Sequence, residues 1–228
     1  PLLYLYMILK KDKFVNVQAH GDGFENEIHL AVHGKTKREY EQLIEGGHIA
    51  KFDIVKGTLS TFNGSVKVTK GHKVGCGDII RMYTGTKDNI IIFIIGVWEQ
   101  ASKKVKEYNK VYEFYIDPSH HSLLWKDMQL DTLEKFDNYV KSIPHGKESQ
   151  LANQKLWKEK RKNIYDLEGQ GLMSIDAKID SKKQRRVQCG FDIEEMMESG
   201  IPYTIFTKEY RGISLPYIQN NTPARVFK

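Results

Sequence analysis

An acid and an amine lie in neighbouring segments of the chain that are predicted to fold against each other. Asp53 belongs to a short β-branched segment, HIAKFDIVKG, and Lys67 belongs to the next one, GSVKVTKG. Because side chains alternate along a strand, Ser65 and Lys67 share one face and Val66 takes the other. A hairpin from Asp53 to Lys67 would place the carboxylate beside the ammonium group at the edge of a sheet.

Such a pair is suited to the hydrolysis of phosphodiesters. A carboxylate can bind Mg²⁺, which polarises a phosphate and lowers the pKa of a bound water. A lysine ammonium can position the attacking water and stabilise the charge that develops in the transition state. The sequence therefore predicts that Asp53 binds Mg²⁺ and that Lys67 assists the water.

The order of elements around this pair resembles the PD-(D/E)xK nuclease superfamily, which includes type II restriction endonucleases. The resemblance covers roughly residues 22–100: a helix with Glu27, a strand with Asp53, the Ser65-Val-Lys67 strand and a third strand. It implies a Mg²⁺-dependent endonuclease that cuts double-stranded DNA at a specific sequence. It also implies a homodimer, because the twofold symmetry of two copies matches palindromic DNA.

The sequence departs from the superfamily at Ser65, where the family has Asp or Glu. A subgroup of restriction enzymes has the same Ser-x-Lys and takes the missing carboxylate from a downstream helix. Asp78, in GCGDII, is the nearest downstream acid, and Glu27 is the other candidate. The expected metal ligands are therefore Asp53 together with Asp78 or Glu27, and Ser65 and Lys67 complete the expected catalytic site.

A second D-x-K pattern lies in the C-terminal half. Asp176-Ala177-Lys178 is on an alternating segment, with Asp166 upstream and a predicted helix and strand downstream. However, no set of three strands surrounds it, and its segment runs directly into the most basic turn of the chain. Asp176 and Lys178 are therefore the alternative catalytic site.

Basic residues predict where nucleic acid would bind. The segments LMSIDAKID and RVQCGF, joined by SKKQR, predict a β-hairpin, a shape that fits the major groove. Arginine can read guanine and glutamine can read adenine, each through two hydrogen bonds. The expected base-contacting residues are Arg185, Arg186 and Gln188, with Lys182 and Lys183 beside them. A second basic cluster, from Lys155 to Lys162, is expected to touch phosphates or nothing.

The overall charge favours the same class of partner. Lys and Arg total 35 against 29 acids, which gives a net charge of +6 and favours polyanions. SKKQRR lacks the broad apolar face of a membrane-binding helix, and no apolar run approaches the roughly 20 residues that span a bilayer. Two cysteines cannot form a disulfide framework or a zinc cluster, so a cytoplasmic location and no membrane partner are expected.

These residues must be positioned by an α/β domain. Capping patterns predict helices at 23–32 and from Thr36 to Gly46-Gly47, and the region from 118 to about 165 has a helical pattern. Strands are predicted at HIAKFDIVKG, GSVKVTKG, DIIRMYTG, NIIIFIIGVWEQ and KVYEFYID, followed by the hairpin, a helix at 193–198 and a strand at 203–206.

We expect a restriction-endonuclease-like mixed central sheet flanked by helices, with an added helical region and a C-terminal β-hairpin. One domain would cover 1–228, with its catalytic core at about 20–117 and its helical and DNA-recognition part at about 118–228.

Other interpretations stay open. Asp53 could pair with a surface lysine, and Lys67 could be an edge-strand lysine that prevents aggregation. Two other functions are a sequence-specific DNA-binding protein that does not cut and a DNA glycosylase that needs no metal. A chelator would stop a nuclease and leave a binder unaffected, whereas a glycosylase would leave abasic sites.

Overall fold

The computed structural model describes residues 19–45, 52–102, 106–168, 171–180 and 184–215. Its α-helices are α1 (Ala19–His33), α2 (Lys37–Glu41), α3 (Ile79–Asp88), α4 (His121–Trp125), α5 (Leu130–Ser142), α6 (Lys147–Asn163) and α7 (Ile193–Glu198). Its strands are β1 (Asn63–Thr69), β2 (Lys73–Asp78), β3 (Ile91–Gln100), β4 (Lys106–Ile116), β5 (Ser174–Ile179), β6 (Arg185–Asp192), β7 (Tyr203–Phe206), β8 (Glu209–Tyr210) and β9 (Ile213–Ser214). No helix within these ranges has both the length and the apolar composition that crossing a membrane requires.

The central sheet has the strand order β1-β3-β4-β7. Strand β1 pairs with β3 in parallel, whereas β3 with β4 and β4 with β7 are antiparallel. Parallel neighbours need a crossover connection, and here the crossover contains β2 and α3. The fold is therefore mixed α/β, with a mixed central sheet flanked by helices, as the sequence indicates.

The predicted C-terminal hairpin is present as β5 and β6, but it belongs to a larger sheet. Strand β2 pairs with β6, which gives a second, antiparallel sheet of order β2-β6-β5. Asp78 and Asp176 stand opposite Gln188 from the two sides, and Lys178 stands opposite Arg186. The hairpin is thus joined to the N-terminal half through β2, a strand that the sequence interpretation missed.

Apolar side chains fill both sides of the central sheet. On one side, Phe93 and Phe114 both meet Phe191 of the second sheet edge-on. On the other side, Phe24 and Ile28 of α1 pack in one cluster with Val66 and Ile94. Because side chains alternate along β1, Lys67 points to the first side, away from α1.

Two predicted strands are corrected by the structure. Between residues 52 and 57 the only pairing among described residues is an isolated antiparallel bridge from Ile54 to Gly64, and residues 46–51 lie outside the described ranges. The segment DIIRMYTG is the start of α3 rather than a strand, because the Asp78 side chain accepts a hydrogen bond from the Arg81 amide and caps the helix. Its buried Ile79, Met82 and Tyr83 also follow helical spacing.

The first two helices differ from their predicted ends. Helix α1 begins at Ala19, four residues before the predicted start at 23, so Asp22 lies in its first turn. The capping box between Thr36 and Glu39 is confirmed, but α2 ends at Glu41, well before the predicted glycines at 46 and 47, which lie outside the described residues.

Close packing of β2 against β6 requires glycine at 190. A Cβ atom there would lie 2.5 Å from the Val74 carbonyl oxygen, whereas one at Gly75 would meet nothing within 4 Å. We expect Gly190→Ala to lower the free energy of unfolding by about 3 kcal/mol, at the upper end of overpacking costs, because a backbone carbonyl cannot move aside cheaply. Gly75→Ala is the matched control and should change the free energy of unfolding by less than about 0.5 kcal/mol. Urea titration compares them, and equal effects would contradict the tight β2–β6 contact.

Candidate active site

Asp53 and Lys67 form an ion pair at the edge of the central sheet. Lys67 Nζ lies 2.8 Å from Asp53 Oδ2, and the two side chains are 21% and 31% exposed. The predicted proximity of these side chains is therefore confirmed, although Asp53 precedes an isolated bridge instead of lying in a regular strand.

The pair also binds the backbone of the edge strand. Among the described strands, β1 pairs only with β3, and its other edge meets the isolated Ile54–Gly64 bridge. The Val66 amide donates to Asp53 Oδ2 at 2.7 Å, and the Val66 carbonyl accepts from Lys67 Nζ at 2.8 Å. The two side chains thus satisfy the peptide groups of Val66 that do not pair with β3, and this fixes both charged groups in place.

Electrostatics hold Asp53 in its charged form. Burial favours the neutral acid, but the charge of Lys67, the hydrogen bonds from Lys67 and the Val66 amide, and the charge of Arg81 outweigh it. The pKa of Asp53 therefore lies below its ordinary value. A carboxylate that is ionised at neutral pH is the form that a cation binds.

One oxygen of Asp53 is suited to a metal. Oδ2 is occupied by its two donors, whereas Oδ1 accepts no hydrogen bond from the residues that the structure describes. Mg²⁺ commonly takes one or two carboxylates and completes its shell with waters and substrate phosphates. Asp53 alone could therefore serve as the protein ligand of a Mg²⁺ that is shared with a phosphate.

The other expected ligands have different surroundings. Asp78 uses Oδ1 to cap α3, and Glu27 lies on α1, which packs against the opposite face of β1 from Lys67. Ser65, which stands where the resemblance implies Asp or Glu, is buried, with 4% of its surface exposed. Within the described ranges, no three His, Cys, Asp or Glu side chains come close enough together to hold a metal ion. The second carboxylate, from Asp78 or Glu27, therefore stays a prediction.

The alternative pair is differently placed. Asp176 and Lys178 lie two residues apart on β5, an outer strand of the second sheet, so they share a face. Asp176 Oδ1 is 3.7 Å from Arg161 Nη1, and no hydrogen bond or ion pair joins Asp176 to Lys178 among the described residues. The structure does not form an acid–lysine pair there.

The residues expected to contact bases fall into two groups. Arg185 is 7% exposed, and its guanidinium donates four hydrogen bonds to the carbonyl oxygens of Ile143, Pro144, Asp180 and Gln184. It anchors the hairpin to the end of α5, and these four bonds use four of its five N–H groups inside the protein. Lys182 and Lys183 lie outside the described residues.

Arg186 and Gln188 face the other way. Val187 and Cys189 between and beside them are buried in the core, so Arg186 and Gln188 lie on the outer face of the second sheet. Neither side chain has a hydrogen-bond partner in the described part of the chain, and Arg186 Nε is buried without an acceptor. Lys178 stands directly opposite Arg186, and like charges opposite each other destabilise a sheet. An anionic partner would relieve both costs.

One charged residue near the ion pair was missed by the sequence interpretation. Arg81 contributes to the lowered pKa of Asp53 and lies in the first turn of α3. The pattern of DIIRMYTG predicts a strand, in which Arg81 would not lie in the first turn of a helix. The available signal was an N-capping Asp followed by apolar residues at helical spacing.

Comparisons of the chain with protein-family models, with curated proteins and with solved structures found no significant match. The interpretation of the site therefore depends on its geometry.

The lowered pKa of Asp53 predicts a pH dependence of stability. A carboxyl whose pKa is lower in the folded than in the unfolded protein stabilises the fold above about pH 4, and this stabilisation is lost as the pH falls through the folded value. Asp53→Asn keeps an oxygen for the Val66 amide but removes the charge. We expect it to be less stable than the unchanged protein at pH 6, with a difference that shrinks towards pH 3. Urea titrations across this range measure the difference.

The control for that experiment is the same Asp53→Asn substitution in a protein that also carries Lys67→Met. Because the charge of Lys67 is the largest of the interactions that favour the carboxylate, Asp53→Asn should lower the free energy of unfolding by less when Lys67 is replaced. If Asp53→Asn lowers the free energy of unfolding by the same amount at every pH, and by the same amount whether or not the protein also carries Lys67→Met, the ion pair does not stabilise the fold.

Proposed function

We propose that this chain is a Mg²⁺-dependent endonuclease of the restriction type, which hydrolyses phosphodiester bonds in double-stranded DNA at a specific sequence. The observation that carries the proposal is the ion pair of Asp53 and Lys67 beside one crossover unit. Lys67 lies on β1, the chain then passes through β2 and α3, and β3 pairs with β1 in parallel. Asp53 precedes β1 and lies against the edge of β1 that faces away from β3, with its Oδ2 2.8 Å from Lys67 Nζ.

This arrangement is compatible with the order that the resemblance implies, and it favours the N-terminal site. The segment with Asp53, the strand with x-Lys, helix α3 and strand β3 follow one another in this order, although Asp53 precedes an isolated bridge instead of lying in a regular strand and β2 is inserted between β1 and α3. Lys178 lacks this setting, because the strand that follows α7, β7, pairs with β4 and not with β5. A restriction-endonuclease-like core is thus supported at Lys67 and unsupported at Lys178.

The side chains would divide the reaction between them. Asp53 Oδ1 would hold the metal ion, which supplies a polarised phosphate and a water of lowered pKa when it is bound. Lys67 Nζ is held by Asp53 Oδ2 and the Val66 carbonyl, so its position is fixed before substrate arrives. From there the ammonium group would orient the attacking water and stabilise negative charge on the phosphate.

Recognition would use the outer face of the second sheet. Arg186 and Gln188 have donors without partners among the described residues, and both can form two hydrogen bonds to a base. Arg185 is removed from the proposed base-contacting set, because its guanidinium is occupied in the interior. Two copies of the chain, related by a twofold axis, would present this face to both halves of a palindromic site.

One observation favours a second function, a DNA-binding protein that does not cut. Asp53 and Lys67 satisfy the edge of β1, a structural role that needs no metal, and no complete metal-binding group is formed by the described residues. A binder of this kind would be unaffected by a chelator, whereas cleavage by the proposed nuclease would stop.

The catalytic assignment predicts different effects for two aspartates. Asp53→Ala should abolish cleavage of phage DNA in Mg²⁺ while DNA binding remains measurable, because it removes the proposed metal ligand. Asp176→Ala tests the alternative site and should still cut, because Asp176 holds no metal in the proposal. DNA binding by Asp176→Ala is measured beside the rate, since Asp176 stands opposite Gln188 on the recognition face. The measurement is the rate of cleavage, with sequencing of the ends.

Cleavage by Asp53→Ala at the normal rate would contradict the assignment, and loss of cleavage in Asp176→Ala alone would move the site to the second sheet. Abasic sites in place of 5′-phosphate ends would indicate a glycosylase. Binding without any cleavage by the unchanged protein would favour the non-cutting function.

The recognition surface predicts a separation between specificity and general affinity. Gln188→Ala should lower the preference for the cognate duplex over a scrambled one by about 1–3 kcal/mol, with little change in salt dependence, because it removes a base contact. Lys158→Ala, on an exposed position of α6, should weaken binding to both duplexes alike. Binding is measured across a salt series, with the cognate sequence taken from the mapped ends or from selection among random duplexes. An unchanged preference in Gln188→Ala would remove this face from recognition.

A further inference from the structure

The two outer strands of the central sheet, β1 and β7, have different surroundings. At β1, Asp53 and Lys67 bind the peptide groups of Val66 that face away from β3. At the other edge of the sheet, β7 pairs with β4, and no described residue bonds to the far side of β7. Strand β7 also contains no charged residue and no bulge, which are features that usually keep an edge strand from pairing with another chain.

The register with β4 shows which peptide groups of β7 face outwards. The Tyr115 amide donates to the carbonyl oxygen of Pro202 at 2.9 Å, which makes these opposed residues a hydrogen-bonded pair. Hydrogen-bonded and non-hydrogen-bonded pairs alternate along an antiparallel ladder, so Thr204 also bonds to β4. The N–H and C=O groups of Tyr203 and Ile205 therefore point away from β4. They have no partner among the described residues.

A second copy of the same strand matches these outward groups. Tyr203 and Ile205 lie symmetrically about Thr204, so a twofold axis at Thr204 would place Tyr203 of one copy opposite Ile205 of the other. Each of these two pairs would exchange two hydrogen bonds, which satisfies every outward group of both copies. Pro202 would fall opposite Phe206, where the peptide groups face their own sheets, so the missing N–H of proline is not needed.

The side chains of β7 suit the same pairing. Tyr203 and Ile205 share one face and are 42% and 40% exposed, and an aromatic residue opposite a β-branched one is a favourable cross-strand pair. Tyr203 also packs against Phe114 of β4, with ring centroids 5.8 Å apart. On the other face, Thr204 would meet Thr204 of the second copy, which is another favourable pair. Pairing would thus cover apolar surface that one copy leaves exposed.

The distribution of charge favours a second copy over a polyanion at this edge. The chain has a net charge of +6, but residues 201–207 carry no charge, so two copies can approach here without repulsion between close charges. Beyond the paired stretch, the register would place Lys208 of one copy opposite Gly200 of the other, two residues from Glu198. Lys208 and Glu198 are both exposed, and neither forms an ion pair within the described part of the chain. The two copies would therefore bring opposite charges together on both sides of the axis.

We propose that β7 pairs with β7 of a second copy of this chain, antiparallel about a twofold axis at Thr204, and joins the two central sheets into one. The paired strand has four residues in each copy, so the contact is smaller than a standard interface of about 800 Å² per partner. The dimer is therefore expected to be weak and to depend on protein concentration. This inference goes beyond the proposed function, which needs two copies but does not say where they meet.

The test uses charges placed at the axis. Sedimentation velocity without DNA or Mg²⁺ gives the dimer dissociation constant across the micromolar range. Thr204→Lys and Thr204→Glu should each raise this constant by about 10-fold or more, because two like charges would face each other. An equal mixture of the two variants should associate more tightly than either variant alone, since opposite charges then meet. Ala152→Lys, on an exposed position of α6, is the charge-matched control and should leave the constant nearly unchanged.

Hydrogen exchange of the unchanged protein is a second measurement, which does not depend on how the variants fold. The amides of Tyr203 and Ile205 should exchange more slowly as the protein concentration rises, because their N–H groups bond only in the dimer. The Thr204 amide bonds to β4 and should be protected at every concentration. The thermal midpoint of each variant shows whether its substitution has altered the fold.

Three results would overturn the proposal. The first is a protein that stays monomeric across the concentration range. The second is a dimer whose dissociation constant does not respond to folded Thr204 variants, or does not improve when they are mixed. The third is slow exchange at Tyr203 and Ile205 in a monomer, which would mean that another segment of the same chain covers the edge. None of these results decides the nuclease proposal, which is tested by cleavage.

Discussion

Peptide groups at the open edges of the two sheets must find partners, and in both sheets an aspartate provides one. At β1, Asp53 accepts from the Val66 amide and is paired with Lys67. At β6, where β2 has turned away into α3, Asp137 of α5 accepts from the Val187 amide at 2.8 Å and is paired with Lys141. Each aspartate ties its sheet edge to a neighbouring segment, so the position of the carboxylates is set by backbone hydrogen bonding before any chemistry is considered.

The two aspartates differ in what remains available to a ligand. The side chain of Asp137 is 4% exposed and both of its oxygens are engaged, by Val187 and by Lys141. At Asp53, Lys67 and the Val66 amide both donate to the same oxygen, Oδ2, and the side chain is 31% exposed. Both aspartates bind a strand by a backbone hydrogen bond. Asp137 then has both oxygens engaged, whereas Asp53 keeps Oδ1 able to accept a cation. This difference supports the role proposed for Asp53, since a purely structural role would be served equally well by a buried side chain.

Sequence patterns predicted the elements whose signal is local. The alternation in GSVKVTK, the apolar run at β3 and the hairpin of β5 and β6 are all present. The ion pair of Asp53 with Lys67 is also present, although the strand predicted at Asp53 is reduced to an isolated bridge. Strand β2 was missed because KVGCGD contains two glycines and its partner, β6, is distant in the chain. The start of α3 was misassigned because Ile79 and Ile80 are β-branched, and the cap at Asp78 outweighed that preference. Arg185 and Arg186 were assigned the same role, although adjacent residues of a strand point to opposite faces, and that alternation was the available signal.

The junction between β2 and α3 has a mechanical consequence. Asp78 is at once the last residue of β2, the cap of α3 and the neighbour of Gln188 across the second sheet. No loop separates the strand from the helix, so little backbone freedom is available there to absorb a displacement. A sheet that tilts when it settles against a ligand would carry the first turn of α3 with it. The outer face of that sheet and the first turn of α3 are thus joined directly through the backbone at Asp78.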